Sequence, residues 1–304
     1  MKRYHISKLF DREGLVIENS NSLKISEINS KDIISSFEKY GIIIFKGFDF
    51  KKINLTFFTD IFTKTYSTDA LRRPTRFGRK NITSVDYGFS EIDLHSEASF
   101  APSWPVIIWF YCITPTAGEG GATTLCDGSV LWKKLSTKAK TFFLTNPIIY
   151  KLKIPIPNKK LGKGKRPWPI ENPAASDCFI DWDSGTLNLT LSRFAVQKRR
   201  DPNVLCFANH LLSIDAEDQI ISGTVKNNQK IPDKFIKEII NKSEDLTYEY
   251  YWEKNDLMMI DNRRFMHARR SFNKNDPRDI INIQTARASF GYKLTEKVFK
   301  NNKT

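Results

Sequence analysis

At 304 residues with 40% hydrophobic and 12% aromatic side chains, the chain can bury a sizeable core, and one domain is expected over residues 1–304. No apolar run approaches the roughly 20 residues that span a bilayer, and Met1-Lys2-Arg3-Tyr4-His5 leads into polar sequence without a secretory apolar core, so a soluble, cytoplasmic protein is expected. A formal net charge of +14 favours an anionic partner, yet lysine is spread along the whole chain among abundant Asn and Ile, and no nucleic-acid-binding motif accompanies it.

In chain order, Ile25, Ile28, Ile33, Ile34 and Phe37 recur at near-helical spacing ahead of Gly41, which predicts a helix over 24–40. Ile42-Ile43-Ile44-Phe45, bounded by glycines, predicts a buried strand, and 52–67 a second helix. Residues 68–80, basic and carrying Pro74, predict a loop, and the alternation from Asn81 to Tyr87 a strand leading toward His95. Pro105 to Ile113 is rich in β-branched and aromatic residues and predicts a strand buried on both faces, ending at Thr114-Pro115. After the turn Glu119-Gly120-Gly121, Thr123 to Cys126 predicts the return strand, and Val130 to Thr145 a helix capped by Asp127 or Ser129.

Residues 151–200 are irregular and basic, with Lys151, Lys153, Lys159, Lys160, Lys163, Lys165 and Arg166 among prolines and glycines, which predicts a long loop. The wider stretch 146–245 is expected to be an insertion or lid between core strands, with helical pieces at 204–213 and 231–241. Leu246 to Trp252, Leu257 to Ile260 and Ile280 to Phe290 predict strands, and 293–304 a frayed basic tail. Strands thus open and close the chain around a mixed insertion, which suggests a β-sandwich or jelly roll with helices packed outside. The cysteines at 112, 126, 178 and 206 are too far apart for a Cys-x-x-Cys site and are expected to be reduced and mostly buried.

The chemistry concentrates in His95-Ser96-Glu97 and in Asp261-Asn262-Arg263-Arg264-Phe265-Met266-His267. A histidine and a carboxylate two apart on a strand project to one side, and a distant histidine completes a three-ligand face suited to Fe(II). With only four histidines in the chain, His210 is the one competing ligand, and it has no carboxylate at short spacing. Asp261 and Asn262 read as braces of the turn before His267.

These two segments, together with Trp109-Phe110-Tyr111-Cys112 and Pro115, Gly120-Gly121-Ala122-Thr123, and Pro277-Arg278, occur in an order that resembles the taurine dioxygenase/clavaminate synthase-like family (TauD/TfdA superfamily), from about Gly41 to Arg287. The resemblance implies a mainly β protein with α-helices, built on a double-stranded β-helix (jelly roll, cupin-like) core with flanking helices. It implies Fe(II) held by His95, Glu97 and His267, and 2-oxoglutarate held by Thr123 and by Arg278, eleven residues past the distal histidine. A bidentate guanidinium–carboxylate fork fixes such a cosubstrate in register. Arg269 and Arg270 are rivals for that role.

Members acting on sulfonates can carry a second arginine four residues after Arg278, where this chain has Asn282, which counts against a sulfonate; Ser96-Glu97-Ala98-Ser99-Phe100 and the Trp109–Cys112 run instead resemble the branch that modifies amino acids or amino-acid-derived groups in biosynthesis. Related halogenases lack the ligand carboxylate, which Glu97 supplies here, so hydroxylation with release of succinate and CO2 is implied, with the same cofactor chemistry on another small molecule, or giving desaturation or epoxidation, as the alternative. The expected partner is a small-molecule substrate, with an acidic carrier protein docking on the 151–166 lysines as a further possibility. Neither nucleic acid nor membrane is expected.

Overall fold

The computed structural model describes residues 4–10, 14–20, 23–50, 52–67, 73–85, 88–101, 104–155, 186–199, 204–213, 220–226 and 229–292. In order they form β1 (Tyr4–Lys8), β2 (Leu15–Asn19), α1 (Ser30–Tyr40), β3 (Ile42–Lys46), α2 (Lys52–Phe62), β4 (Thr63–Tyr66), β5 (Thr75–Arg76), β6 (Arg79–Ser84), β7 (Ile92–His95), β8 (Ile107–Thr114), β9 (Thr123–Asp127), α3 (Gly128–Lys134) and α4 (Thr137–Thr145). The chain continues through β10 (Ile148–Pro155), β11 (Thr186–Arg193), β12 (Val196–Lys198), β13 (Leu205–Phe207), β14 (Ile220–Val225), β15 (Gln229–Lys230), α5 (Asp233–Glu244), β16 (Thr247–Tyr250), β17 (Leu257–Asp261), β18 (Phe265–Arg269) and β19 (Asp279–Ala288). Among the described residues the protein is mainly β, and no helix is long and apolar enough to cross a membrane.

A nine-stranded sheet runs β1-β2-β3-β17-β8-β19-β6-β5, with β4 also on β19, and a four-stranded sheet runs β16-β9-β18-β7. The two sheets share a buried cluster: Ile44, Ile108, Phe110 and Met258 from the large sheet pack with Leu125 and Phe265 from the small one. The opposite face of the large sheet buries Phe45, Trp109 and Ile283 against Phe37 of α1 and Phe58 of α2. Period-two alternation on strands buried on both faces therefore sends neighbouring residues into two different cores.

Turn chemistry fixes where these elements stop. Asn29 caps α1 by accepting from the Lys31 amide. At its other end Gly41 adopts φ +76°, and a Cβ there would lie 2.6 Å from the Phe265 ring, so glycine alone allows the helix to turn directly into β3. Arg264 and Arg199 donate to the last carbonyls of α1, those of Lys39 (3.1 Å) and Glu38 (2.9 Å), where a helix terminus favours positive charge.

Several expectations from sequence are corrected. The helix predicted over 24–40 begins at Ser30, preceded by a 3-10 turn at Ile25–Glu27. The helix predicted over 52–67 ends at Phe62, because Thr63–Tyr66 pairs with β19 and the Thr63 and Thr285 hydroxyls meet at 2.7 Å. The loop predicted at 68–80 includes β5 and the start of β6, tied to β19 by Arg76, which grips Asp279 with both terminal nitrogens (2.9 and 2.6 Å). Val130 to Thr145 divides at Leu135-Ser136, where Ser136 caps α4, while Asp127 is the cap of α3.

The helix predicted at 204–213 is instead β13 followed by a turn. Leu205-Cys206-Phe207 pairs with β12, and the Asn209 side chain then accepts from the Leu211 amide. In the basic middle region, β10 pairs with β11 and with β14, so its described part is sheet rather than irregular loop. Lys159, Lys160, Lys163, Lys165, Arg166 and the tail 293–304 lie outside the described residues. The strands β1 and β2 had no counterpart in the sequence reading. Cys112, Cys126 and Cys206 are buried free thiols, as expected; Cys178 lies outside the described residues.

Candidate metal centre and anion pocket

The small sheet places the two histidines. β18 pairs antiparallel with β7 so that His267 stands directly opposite His95, and their ring centroids lie 4.5 Å apart. His95 is the last residue of β7, so Glu97 shares its side of the site through a turn rather than through strand alternation. That turn is held from a distance. Asn262 accepts from the Glu97 amide (2.8 Å) and donates to the Glu97 carbonyl (2.9 Å), while the Ser96 hydroxyl donates to the Asn262 carbonyl (2.6 Å). Ala98 follows at φ 51°, a strained backbone position for a residue with a Cβ. Asn262 thus braces the first motif, 165 residues away, whereas Asp261 accepts from the Arg263 amide (3.1 Å) within its own turn, as the sequence suggested.

Glu97 Oε2 lies 3.4 Å from His95 Nε2 and 3.6 Å from His267 Nε2. One ligand atom from each of the three residues falls within 4.8 Å of the others, a donor set of two imidazole nitrogens and one carboxylate that fits a divalent first-row metal. His95 Nδ1 contacts the Asp93 carbonyl at 2.8 Å, which fixes the ring and leaves Nε2 facing the site. Burial alone would raise the Glu97 pKa, but Arg73 and the two imidazoles outweigh it and hold the carboxyl well below its usual range. Burial and the neighbouring His95 push His267 down to about 4. The site at neutral pH therefore offers a carboxylate and a neutral His267 ring, the forms a metal requires.

His210 is not part of this set. Its ring packs 4.8 Å from that of His95 with Nδ1 3.5 Å from the Ser96 carbonyl, and burial followed by the proximity of the His95 ring pushes it down to about 3. It backs His95 as a neutral ring.

Thr123 and Arg278 line the same cavity as the triad. The Thr123 hydroxyl accepts from Trp252 Nε1 (2.8 Å), and Arg278 Nε donates to the Gly121 carbonyl (3.2 Å), leaving its terminal nitrogens as further donors. Burial, then the proximity of Arg269, lowers the Arg278 pKa to about 10. A cation pressed into that environment is stabilised by an anionic ligand. Of the two rivals, Arg270 is taken up on the surface by Glu249 and Glu91, each at 2.7 Å. Arg269 also lines the cavity, donating to the Ser90 carbonyl at 2.8 Å, and so shares the pocket with Arg278.

Three site residues were missed in the sequence. Arg73, in the stretch read as loop, contacts Glu97 Oε1 at 2.9 Å. Gln284 on β19 donates to the same oxygen at 2.9 Å. Asn209 accepts the Ser96 amide with its carbonyl at 2.8 Å, in the segment read as helix. Only for Gln284 was a signal available, a polar residue in the alternating run Ile281 to Gln284. Asn282, two residues earlier, is buried on the same face of the strand.

The family model described as "Taurine catabolism dioxygenase TauD, TfdA family" matches residues 2–284. Among solved structures, the PvcB protein from Pseudomonas aeruginosa is similar, with TM-score 0.61 and 12% identity over 93% of this chain and 91% of that one. Another PvcB structure is described as an iron- and alpha-ketoglutarate-dependent oxygenase from an isonitrile synthetic pathway. AAD-2 in complex with Mn(II) and N-oxalylglycine matches with TM-score 0.61 and 16% identity over 94% and 97% of the two chains. A taurine dioxygenase from Burkholderia xenovorans matches with TM-score 0.60 and 11% identity over 93% and 89%. Identities this low establish a shared fold. No curated protein sequence matches the chain.

Proposed function

Because the chain belongs to the TauD, TfdA family of dioxygenases, we propose that it is an Fe(II)- and 2-oxoglutarate-dependent dioxygenase that hydroxylates an unactivated C–H bond of an amino acid or amino-acid-derived small molecule in biosynthesis, releasing succinate and CO2. The observation that carries this reading is the convergence of His95, Glu97 and His267 on one point in a cavity that Thr123 and Arg278 also line. We read the two facing sheets as the double-stranded β-helix of the family, residues 1–304 as one domain, and 146–245 as an insertion within it.

In this reading His95, Glu97 and His267 hold the iron, and Arg278 with Thr123 holds the far carboxylate of 2-oxoglutarate. Iron and cosubstrate together supply the oxidising power. The protein's own share is orientation and shielding. Arg278 provides a charged fork whose strength rises with burial, the Thr123 hydroxyl adds a donor, and Phe110, with its ring 5.2 Å from that of His267, closes an apolar wall beside the triad. The carboxylate of Glu97 favours oxygen insertion over halogen transfer. Asn282 stands where sulfonate-acting members can carry an arginine, which counts against a sulfonate, and Ser96 to Phe100 with Trp109 to Cys112 supports an amino-acid-derived substrate. PvcB's description as an enzyme of isonitrile synthesis is in keeping with a biosynthetic role. A carrier-tethered substrate docking on the 151–166 lysines is the variant of this reading that the net charge of +14 favours.

The test is a mass-spectrometric screen of free and carrier-bound amino acids for a gain of one oxygen atom that depends on both Fe(II) and 2-oxoglutarate, with succinate measured in parallel. Glu97→Ala and His267→Ala are each expected to abolish succinate formation. Robust turnover in either purified, iron-loaded variant would overturn the ligand assignment.

A further inference from the structure

The two oxygens of Glu97 have different surroundings. Oε2 faces the imidazoles, 3.4 Å from His95 Nε2 and 3.6 Å from His267 Nε2. Oε1 points the other way and meets Gln284 Nε2 and Arg73 Nη1, both at 2.9 Å. These groups arrive from separate parts of the fold: Gln284 from β19 in the middle of the large sheet, Arg73 from the segment ahead of β5, and the histidines from the small sheet. The orientation of the Gln284 amide is set by chemistry, since an ionised carboxylate only accepts and only the NH2 end can face it. Arginine is likewise donor-only. With a neutral and a charged donor on one oxygen, its lone pairs are directed away from the triad.

We propose that Gln284 and Arg73 are positioning residues that reserve Oε1, so that Glu97 presents Oε2 alone to the metal position and acts as a single-oxygen ligand. This rests on the reading that the triad holds a divalent metal, and it assigns a role to two residues outside the ligand and cosubstrate sets. The carboxylate is prevented from rotating to chelate through both oxygens, which keeps one coordination position free. Gln284 is buried and its Oε1 has no hydrogen-bond partner among the described residues, so holding Glu97 is the one polar contact that the amide makes there. Leaving half of a buried amide unbonded is costly, and the contact with Glu97 accounts for an amide rather than an aliphatic side chain at this position.

The test is a cobalt(II) titration of the metal-free full chain followed by its visible absorption, without cosubstrate or turnover. Gln284→Met keeps the side-chain length and removes the donor, and it is expected to lose about 10–100-fold in cobalt affinity, the range typical of groups that orient metal ligands. The cobalt bands should also change in intensity as the carboxylate, now held at Oε1 by Arg73 alone, shifts toward binding through both oxygens. Arg73→Met should alter the bands in the same sense, and Arg73→Lys should restore them. Ile283→Val, on the other face of the same strand, controls for general disturbance of β19 and should leave affinity and spectrum as in the parent. A folded Gln284→Met with the parent's affinity and spectrum would overturn the proposal. If that variant does not fold, an unchanged spectrum in Arg73→Met would overturn it instead. A parent protein that takes up no cobalt would bring down the metal-centre reading itself, an outcome distinct from either of these.

Discussion

The large sheet has two faces built by the same strands, and they are composed differently. Toward α1 and α2 it presents Phe45, Trp109, Ile281 and Ile283, packed with Phe37, Phe58 and Phe62 into a cluster of aliphatic and aromatic side chains. Toward the small sheet the next residues along, Phe110, Asn282 and Gln284, bring buried amides among apolar neighbours. Both polar atoms of the Asn282 amide lack a hydrogen-bond partner among the described residues. The first face is dictated by burial alone and the second gives up packing energy around a site. A protein whose interior were optimised for stability would show two faces of the first kind.

Substitutions on each face test this contrast. Trp109→Ala removes a fully buried indole from the helix-side core and is expected to destabilise the protein by about 3–5 kcal/mol in denaturant unfolding, while metal affinity below the transition is retained. Loss of metal binding in the folded variant would show that the two faces are not separable. Arg278→Ala acts in the opposite way. It should leave unfolding near the parent and weaken 2-oxoglutarate binding by about 2–5 kcal/mol, read from the cosubstrate concentration that half-saturates succinate formation. An unchanged requirement would move the anion-binding role to Arg269. The smallest effect is expected from Asn282→Leu, which replaces an unbonded amide by an apolar group of similar size and should raise stability by about 1–3 kcal/mol. A lowered melting temperature would show that the amide is satisfied in solution and that the inner face is less compromised than its composition implies.

What could be read from the sequence was local. Ile42 to Phe45 and Ile107 to Thr114 carry enough β-branched and aromatic side chains to be strands in almost any context, and Asp127 and Gly41 begin or end helices through bonds within a few residues. The candidate ligands were legible because histidine is scarce and His95-x-Glu97 is compact. Residues 204–213 misled because an apolar triplet followed by Asn209-His210 has no periodicity long enough to separate strand from helix, and a partner strand settled the matter. Arg73 and Asn209 were silent as site residues, since nothing near them in the chain hints at the Ser96-Glu97 turn they hold.

By itself the sequence determined which chemical groups were at hand: four histidines, a carboxylate close to one of them, an arginine beyond the last, and strands able to bury them. The tertiary structure decided which groups meet. His267 faces His95 because β18 pairs with β7 in one register, and a slip of one residue would turn it to the other side of the sheet. That register, and with it the choice of His267 over His210 and the two donors on Glu97, is set by the summed burial of side chains scattered along the whole chain, a quantity that no short stretch of residues contains.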